Sequence, residues 1–172
     1  MSHFEKVSFE QWKADCGVKG LSDKGLREWY DAIKLPKQAT AASAGCDFFM
    51  PFSLNVEGGS SFKIATGIRW VCDKDGGDRD KVLLIMPRSG LGFKYGIRLS
   101  NTVGVIDADY CDSDNEGHII ISMENPSKKT AQLHEGKPFA QGIVVRYEVP
   151  EGAESDEARN GGFGSTDEKR GK

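Results

Sequence analysis

The stretch "KVLLIMPRSGLG", residues 81–92, has two halves of opposite character. The first half is apolar from Val82 to Met86 and closes on Pro87. A run this short, rich in β-branched and large aliphatic residues, reads as a strand. The second half breaks the strand with Pro and Gly and presents Arg88, Ser89 and Gly90 at its end. The same punctuation recurs on both sides. "SFKIATGIRWVC" (61–72), "GIRLSNTVGVID" (96–107), "HIIISMEN" (118–125) and "QGIVVRYEVP" (141–150) are short β-type runs separated by Gly, Asp, Asn or Pro. From Pro36 to Pro150 no long helical pattern interrupts them, which predicts an all-β sandwich or barrel.

The two flanks read differently. Residues 1–34 are expected to be helical. Ser8 and Gln11 stand at capping-box spacing, Phe9, Trp12 and Cys16 share a face, and Ser22 caps a second helix. In that helix Leu26, Trp29, Tyr30 and Ile33 form one apolar stripe, and Pro36 marks its end. The segment carries six basic and six acidic residues and two of the three Trp, so it reads as a neutral helical pair packed on the body or on a neighbouring subunit. A protein partner for these helices is the alternative. Residues 151–172 are rich in Gly and charge, without periodicity, and read as a flexible arm. The expected division is therefore 1–34, 35–150 and 151–172.

A chain of 172 residues suits one domain with short extensions. The net charge of −3 does not suggest a nucleic-acid or membrane-surface binder. The start, "MSHFEKVSFEQWK", has no apolar signal core, so a cytoplasmic protein with reduced cysteines is expected. His3, His118 and His134 show no zinc-ligand spacing. "DKDGGDRDK" (73–81) and "DSDNEG" (112–117) resemble calcium loops only superficially: Leu84 and Met123 stand where the bidentate Glu is required. Both read as solvated hairpin loops. Phosphate-loop and serine-elbow patterns are missing from the sequence.

Chemistry gathers instead where Gly meets small polar or charged residues at strand ends. "ASAGCDFF" (42–49) presents Asp47 after a tight turn. In "PRSGLG" (87–92) an Arg fork, a Ser hydroxyl and Gly amides offer donors suited to phosphate. "NTVGVIDADY" (101–110) ends a strand on two carboxylates and a Tyr, and "GKPFAQG" (136–142) sets Gln141 at the start of another. In the arm, "RNGGFGSTD" (159–167) holds a lone Phe163 among Gly. In this order the five segments resemble the motifs of trimeric deoxyuridine triphosphate nucleotidohydrolases (dUTPases), from about Leu35 to Asp167, leaving the first 34 residues outside.

That resemblance implies a distorted jelly-roll-like β-barrel or sandwich. It also implies hydrolysis of dUTP to dUMP and pyrophosphate by water attack on the α-phosphorus, which limits uracil in DNA and supplies dUMP for thymidylate synthesis. Asp107 would orient and deprotonate the water, with Gln141 beside it and the phosphates. Arg88, Ser89 and Gly90 would hold phosphate. Asn101 and the backbone of Gly104, Val105, Ile106 and Asp107 would read uracil, and Tyr110 would pack under the deoxyribose. From the arm, Arg159, Gly164, Ser165 and Thr166 would close over the phosphates and Phe163 would stack on the base. Mg²⁺ would be held by the triphosphate, with Asp47 near its waters and no direct protein ligand. The active sites would lie between the subunits of a homotrimer, one chain giving the first, second and fourth motifs, another the third, and the last its arm.

Several positions depart from the family pattern. "DYCDSDNEG" (109–117) inserts acidic residues after the catalytic strand and reads as a lengthened hairpin remote from the chemistry. Pro138 and Gly142 stand where a charged and an apolar residue are commoner. Arg159 lies one residue nearer Phe163 than usual, and Asp167 replaces a Gly. Deoxycytidine triphosphate deaminases share the fold, but Ser122 occupies the position of their catalytic Glu, and Glu124 is read onto the opposite face. A nucleotide-gated regulatory binding protein is the alternative of another class.

Overall fold

A computed structural model describes residues 1–73 and 77–155. The first 34 residues form strand β1 (His3–Lys6) and helices α1 (Phe9–Asp15) and α2 (Asp23–Ala32). Ser8 and Ser22 are the two N-caps, their side chains accepting from the amides of Gln11 and Gly25, as the spacing predicts. His3–Lys6 is a strand rather than a helix, a difference from the sequence reading. The body follows with β2 (Lys37–Gln38), β3 (Cys46–Phe49), β4 (Leu54–Val56), β5 (Ser60–Ala65), β6 (Ile68–Val71) and β7 (Lys81–Pro87). Next come α3 (Ser89–Tyr95), β8 (Arg98–Leu99), β9 (Gly104–Asp107) and a 3₁₀ turn (Tyr110–Asp112). The last three strands are β10 (Ile120–Asn125), β11 (Ala131–Leu133) and β12 (Pro138–Arg146).

Every pairing described is antiparallel, and the fold is the expected mostly-β sandwich without a closed barrel. Five strands run in the order β2-β3-β12-β7-β9 and three in the order β5-β10-β8. Two short pairs, β11-β4 and β1-β6, complete the sheets. The β1–β6 pairing explains the unpredicted first strand. Four residues of mixed polarity form it only because Ile68–Val71 offers a free edge, a long-range contact that local propensity does not report.

One core joins all of this. Phe48, Ile64, Leu83, Met123 and Phe139 pack in the same buried cluster as Trp12, Leu26 and Ile33 from the helices. Trp12 is fully buried and its indole N–H donates to the Ala65 carbonyl at 3.0 Å. Gly67, at φ +74°, passes directly beneath, where a Cβ would lie 2.4 Å from Ile33 Cδ1. The helices are thus seated on the β5–β6 turn by close packing rather than laid on the surface.

Two faces of the five-stranded sheet differ. Leu83, Ile85, Ile106 and Phe48 point into the core. There Gly142 is the residue that fits, because a Cβ would lie 2.9 Å from Leu83 and 3.0 Å from Phe48; this accounts for its departure from the family pattern. On the outer face Leu84 pairs with Val105 and Ile143, and Val82 with Asp107 and Val145. Val105 is 58% exposed. The strip runs across β12 and β7 to the edge strand β9, and exposed apolar surface of this kind suits contact with another molecule.

Candidate active site

The first, second and fourth motifs meet at one end of that outer face. Gln141 of β12 lies between Asp47 of β3 and Met86 of β7 in register, so Asp47 and Gln141 point the same way. Arg88, just past the end of β7, donates from Nη1 to Asp47 Oδ2 at 2.5 Å. Its backbone amide donates to the Phe139 carbonyl at 3.1 Å, fixing the turn to β12. Asp47 is buried, while the Arg88 side chain keeps about a third of its surface exposed. The carboxylate therefore orients one edge of the guanidinium and leaves its other donors for an anion. Gln141 folds over the turn before β3, where a Cβ on Gly45 would meet its Oε1 at 2.9 Å. Gly45 belongs to the site for this reason, and its place in "ASAGCDFF" was the only sequence signal.

Ser89 and Gly90, exposed beside Arg88, open helix α3, a short helix where the sequence reads a turn. Its two Gly argue against helix locally, but Gly96 ends it in the left-handed conformation and its amide donates back to the Gly92 carbonyl. A Cβ on Gly90 would meet open space, so a ligand can approach the backbone there.

The third motif lies elsewhere. Asp107 is opposite Val82, whereas Gln141 is opposite Met86, four residues further along β7 and on its other side. The rise along a strand and the spacing between strands put the two Cα atoms roughly 16 Å apart. Arg88 is displaced from Asp107 by about 20 Å along the same strand. One chain therefore cannot bring Asp107 and Gln141 to the same water molecule.

Asn101, Gly104, Val105 and Ile106 border a cavity of about 540 Å³ between β5, β8, β9 and β10, with Ile119, Ile121 and Ser122 on its far wall. The volume suits a nucleoside-sized ligand. The β8–β9 turn that carries Asn101 is tight, with Thr102 at φ +67°. Tyr110 is 6% exposed, and its hydroxyl donates to the His118 carbonyl at 3.1 Å. Asn115 Nδ2 donates to the same hydroxyl at 3.0 Å. Arg159, Phe163, Gly164, Ser165 and Thr166 lie outside the described residues.

Two sequence expectations are corrected here. The insertion at 111–117 is not a remote solvated hairpin. Ser113 is buried, Asn115 holds the Tyr110 hydroxyl, and Glu116 accepts from the Ser8 amide and hydroxyl at 2.7 and 2.6 Å. Glu124 shares the face of Ser122, since residues two apart on a strand point the same way. It is displaced by about 7 Å along β10 and is engaged by Arg98 at 3.3 Å. At the deaminase position itself Ser122 contacts Ser100, hydroxyl to hydroxyl, at 3.2 Å.

His118, another residue to which the sequence reading gave no role, is fully buried. The Gly67 amide donates to its Nε2 at 2.8 Å, so the ring proton sits on Nδ1 and is donated to Asp15 Oδ2 at 2.6 Å. Burial pushes its pKa below the usual histidine value, and Asp15 opposes that shift without reversing it. Among the described residues no group of three or more His, Cys, Asp or Glu side chains could hold a metal ion.

In this antiparallel, mostly-β sandwich, Arg88, Asp47 and Gln141 stand at one end of an outer sheet face and Asp107 at the other. The dUTPase family model matches residues 31–167, and the chain belongs to that family. It is 35% identical to a deoxyuridine 5'-triphosphate nucleotidohydrolase of Acinetobacter baylyi, over 88% of this chain and 97% of that one. It is also 35% identical to the enzyme of the same name from Lactococcus lactis, over 78% and 88%. Among solved structures it resembles the dUTPase of Streptococcus mutans, at 28% identity and a TM-score of 0.63, over 87% of this chain and 98% of that one. Residues 35–172 are 138 of the 172, or 80%. A match covering 88% therefore runs into the first 34 residues, which the sequence resemblance had left outside.

Proposed function

We propose that this chain hydrolyses dUTP to dUMP and pyrophosphate at sites shared between the subunits of a homotrimer. The observation that carries the reading is the separation of Asp107 from the Arg88–Asp47–Gln141 cluster, at opposite ends of an outer apolar strip. Covering that strip with neighbouring copies removes apolar surface from water and lets one chain's Asp107 face another's phosphate donors.

In this reading a water oxygen attacks the α-phosphorus and its proton passes to the Asp107 carboxylate. The bond from the α-phosphorus to the bridging oxygen of the β-phosphate breaks, releasing pyrophosphate. Arg88, Ser89 and Gly90 hold the phosphates, and Gln141 orients the water. The turn from Asn101 through Gly104, Val105 and Ile106 reads the uracil edge, where a wrong base leaves buried polar groups unpaired. Tyr110 forms the floor under the sugar, excluding a 2′-hydroxyl. Arg159, Phe163, Gly164, Ser165 and Thr166 supply the closing arm.

Asp47 is committed to Arg88, so the donor set fits a Mg²⁺ carried by the triphosphate and its own waters, with Asp47 nearby, better than a protein cage. Such an ion would neutralise phosphate charge. The test is pyrophosphate release from each deoxynucleoside triphosphate in the presence of Mg²⁺. Release from dUTP alone is expected. Ammonia from dCTP indicates deamination instead, and nucleotide binding without turnover leaves a binding protein.

A further inference from the structure

Resting on that reading, the geometry points to a brace for the sugar floor, in which the 113–118 loop and helix α1 together hold Tyr110 and make Asn115 a positioning residue for deoxyribose selectivity. The Tyr110 hydroxyl is held from two directions. It donates to the His118 carbonyl, and Asn115 Nδ2 donates to it and, at 3.3 Å, to the same carbonyl. Asn115 is fixed in turn, because its Oδ1 accepts from the Gly117 amide at 3.2 Å and its carbonyl accepts from the His118 amide at 3.0 Å.

The loop also presses on the backbone that carries Tyr110. Gly117 stands at φ +71°, and a Cβ there would lie 2.5 Å from Cys111 Cα and 2.9 Å from the Tyr110 carbonyl. Glu116, at φ +58°, is a non-Gly residue held in the left-handed region, a conformation that persists where contacts over-determine it. Those contacts come from α1. The Glu116 carboxylate takes both Ser8 donors at the start of that helix, and the His118 ring takes Asp15 at its end. Both ends of α1 are thereby clamped to the loop behind the tyrosine, while Trp12 anchors the helix between them in the core.

A ring held at its hydroxyl and its backbone cannot tilt away from a bulkier sugar. Loosening the brace should therefore help a ribonucleotide more than it helps dUTP. The test compares kcat/KM for dUTP and UTP in the full-length wild type, Asn115→Ala and Glu116→Ala, with melting temperatures for each. Asn115→Ala is expected to reduce the dUTP:UTP ratio roughly three- to tenfold, the scale of one neutral hydrogen bond. Glu116→Ala, which touches only the clamp, should reduce it about twofold to threefold and carries the test if Asn115→Ala does not fold. Equal losses on both nucleotides, or an unchanged ratio in both variants, overturn the brace. Failure of the wild type to hydrolyse dUTP overturns the underlying reading instead, so the two failures are distinguishable.

Discussion

Mixing two defective variants tests the division of the site directly. The first is Asp107→Asn. The second is the double change Asp47→Asn with Arg88→Gln, made together because removing Arg88 alone would strand the buried Asp47 carboxylate without its partner. Alone, Asp107→Asn should lose on the order of 10²–10⁴ in turnover. The double variant should lose roughly ten- to a hundredfold, the cost of charge-assisted contacts to phosphate. With Asp107 and Gln141 roughly 16 Å apart in one chain, the proposed division of the site takes phosphate donors from one subunit and the carboxylate from another. Unfolding an equal mixture and reassembling it should pair a sound donor set with a sound Asp107 in about one quarter of sites of a cyclic oligomer. Pyrophosphate release per subunit should then climb to roughly 25% of the wild-type value, well above either parent. Activity that stays at the average of the two parents would refute a site shared between chains and with it the distance argument.

Trp12→Ala should destabilise the chain by about 3–5 kcal/mol, read as a lowered denaturation midpoint, because the indole is fully buried and bonded to Ala65; a change under 1 kcal/mol would mean that α1 is dispensable to the core. His118 gives a pH signature. Its folded pKa lies below the ordinary value of 6.5, so the unfolded chain takes up the proton first as pH falls. The stability from the neutral ring is complete above about pH 6.5 and declines from there towards the folded pKa. His118→Asn should therefore be less stable than wild type at pH 7.5 and show a shallower fall in melting temperature down to pH 5.5; parallel slopes would remove His118 as the cause.

Most of the site was legible because the chemistry sits where strands end, and strand ends are marked in sequence by Gly, Pro and small polar residues. "PRSGLG" and "GVIDADY" declare themselves in this way, and the caps Ser8 and Ser22 announced both helices. What was hidden depends on long-range contacts. Strand β1 exists only against β6, and Gly45 matters only because Gln141, nearly a hundred residues away, folds over it. The insertion was misread for the same reason. Its acidic composition predicts solvation, but Glu116 finds the Ser8 donors across 108 residues of chain, which no local pattern reveals.

The insertion and the N-terminal helices, far apart in sequence, are one device in the folded chain. Neither is self-sufficient. Helix α1 has seven residues, too few to be stable alone, and the loop holds residues in conformations that need external support. Together they satisfy each other: the loop's carboxylate accepts from the helix cap, and the helix's last carboxylate accepts from the ring of His118. Their shared output is the Tyr110 hydroxyl, held from the loop side while the other elements of the core pack around the ring. Truncating the first helix should for this reason resemble Asn115→Ala in its effect on sugar selectivity as well as lower stability, a coincidence of phenotypes that two independent surface additions would have no cause to produce.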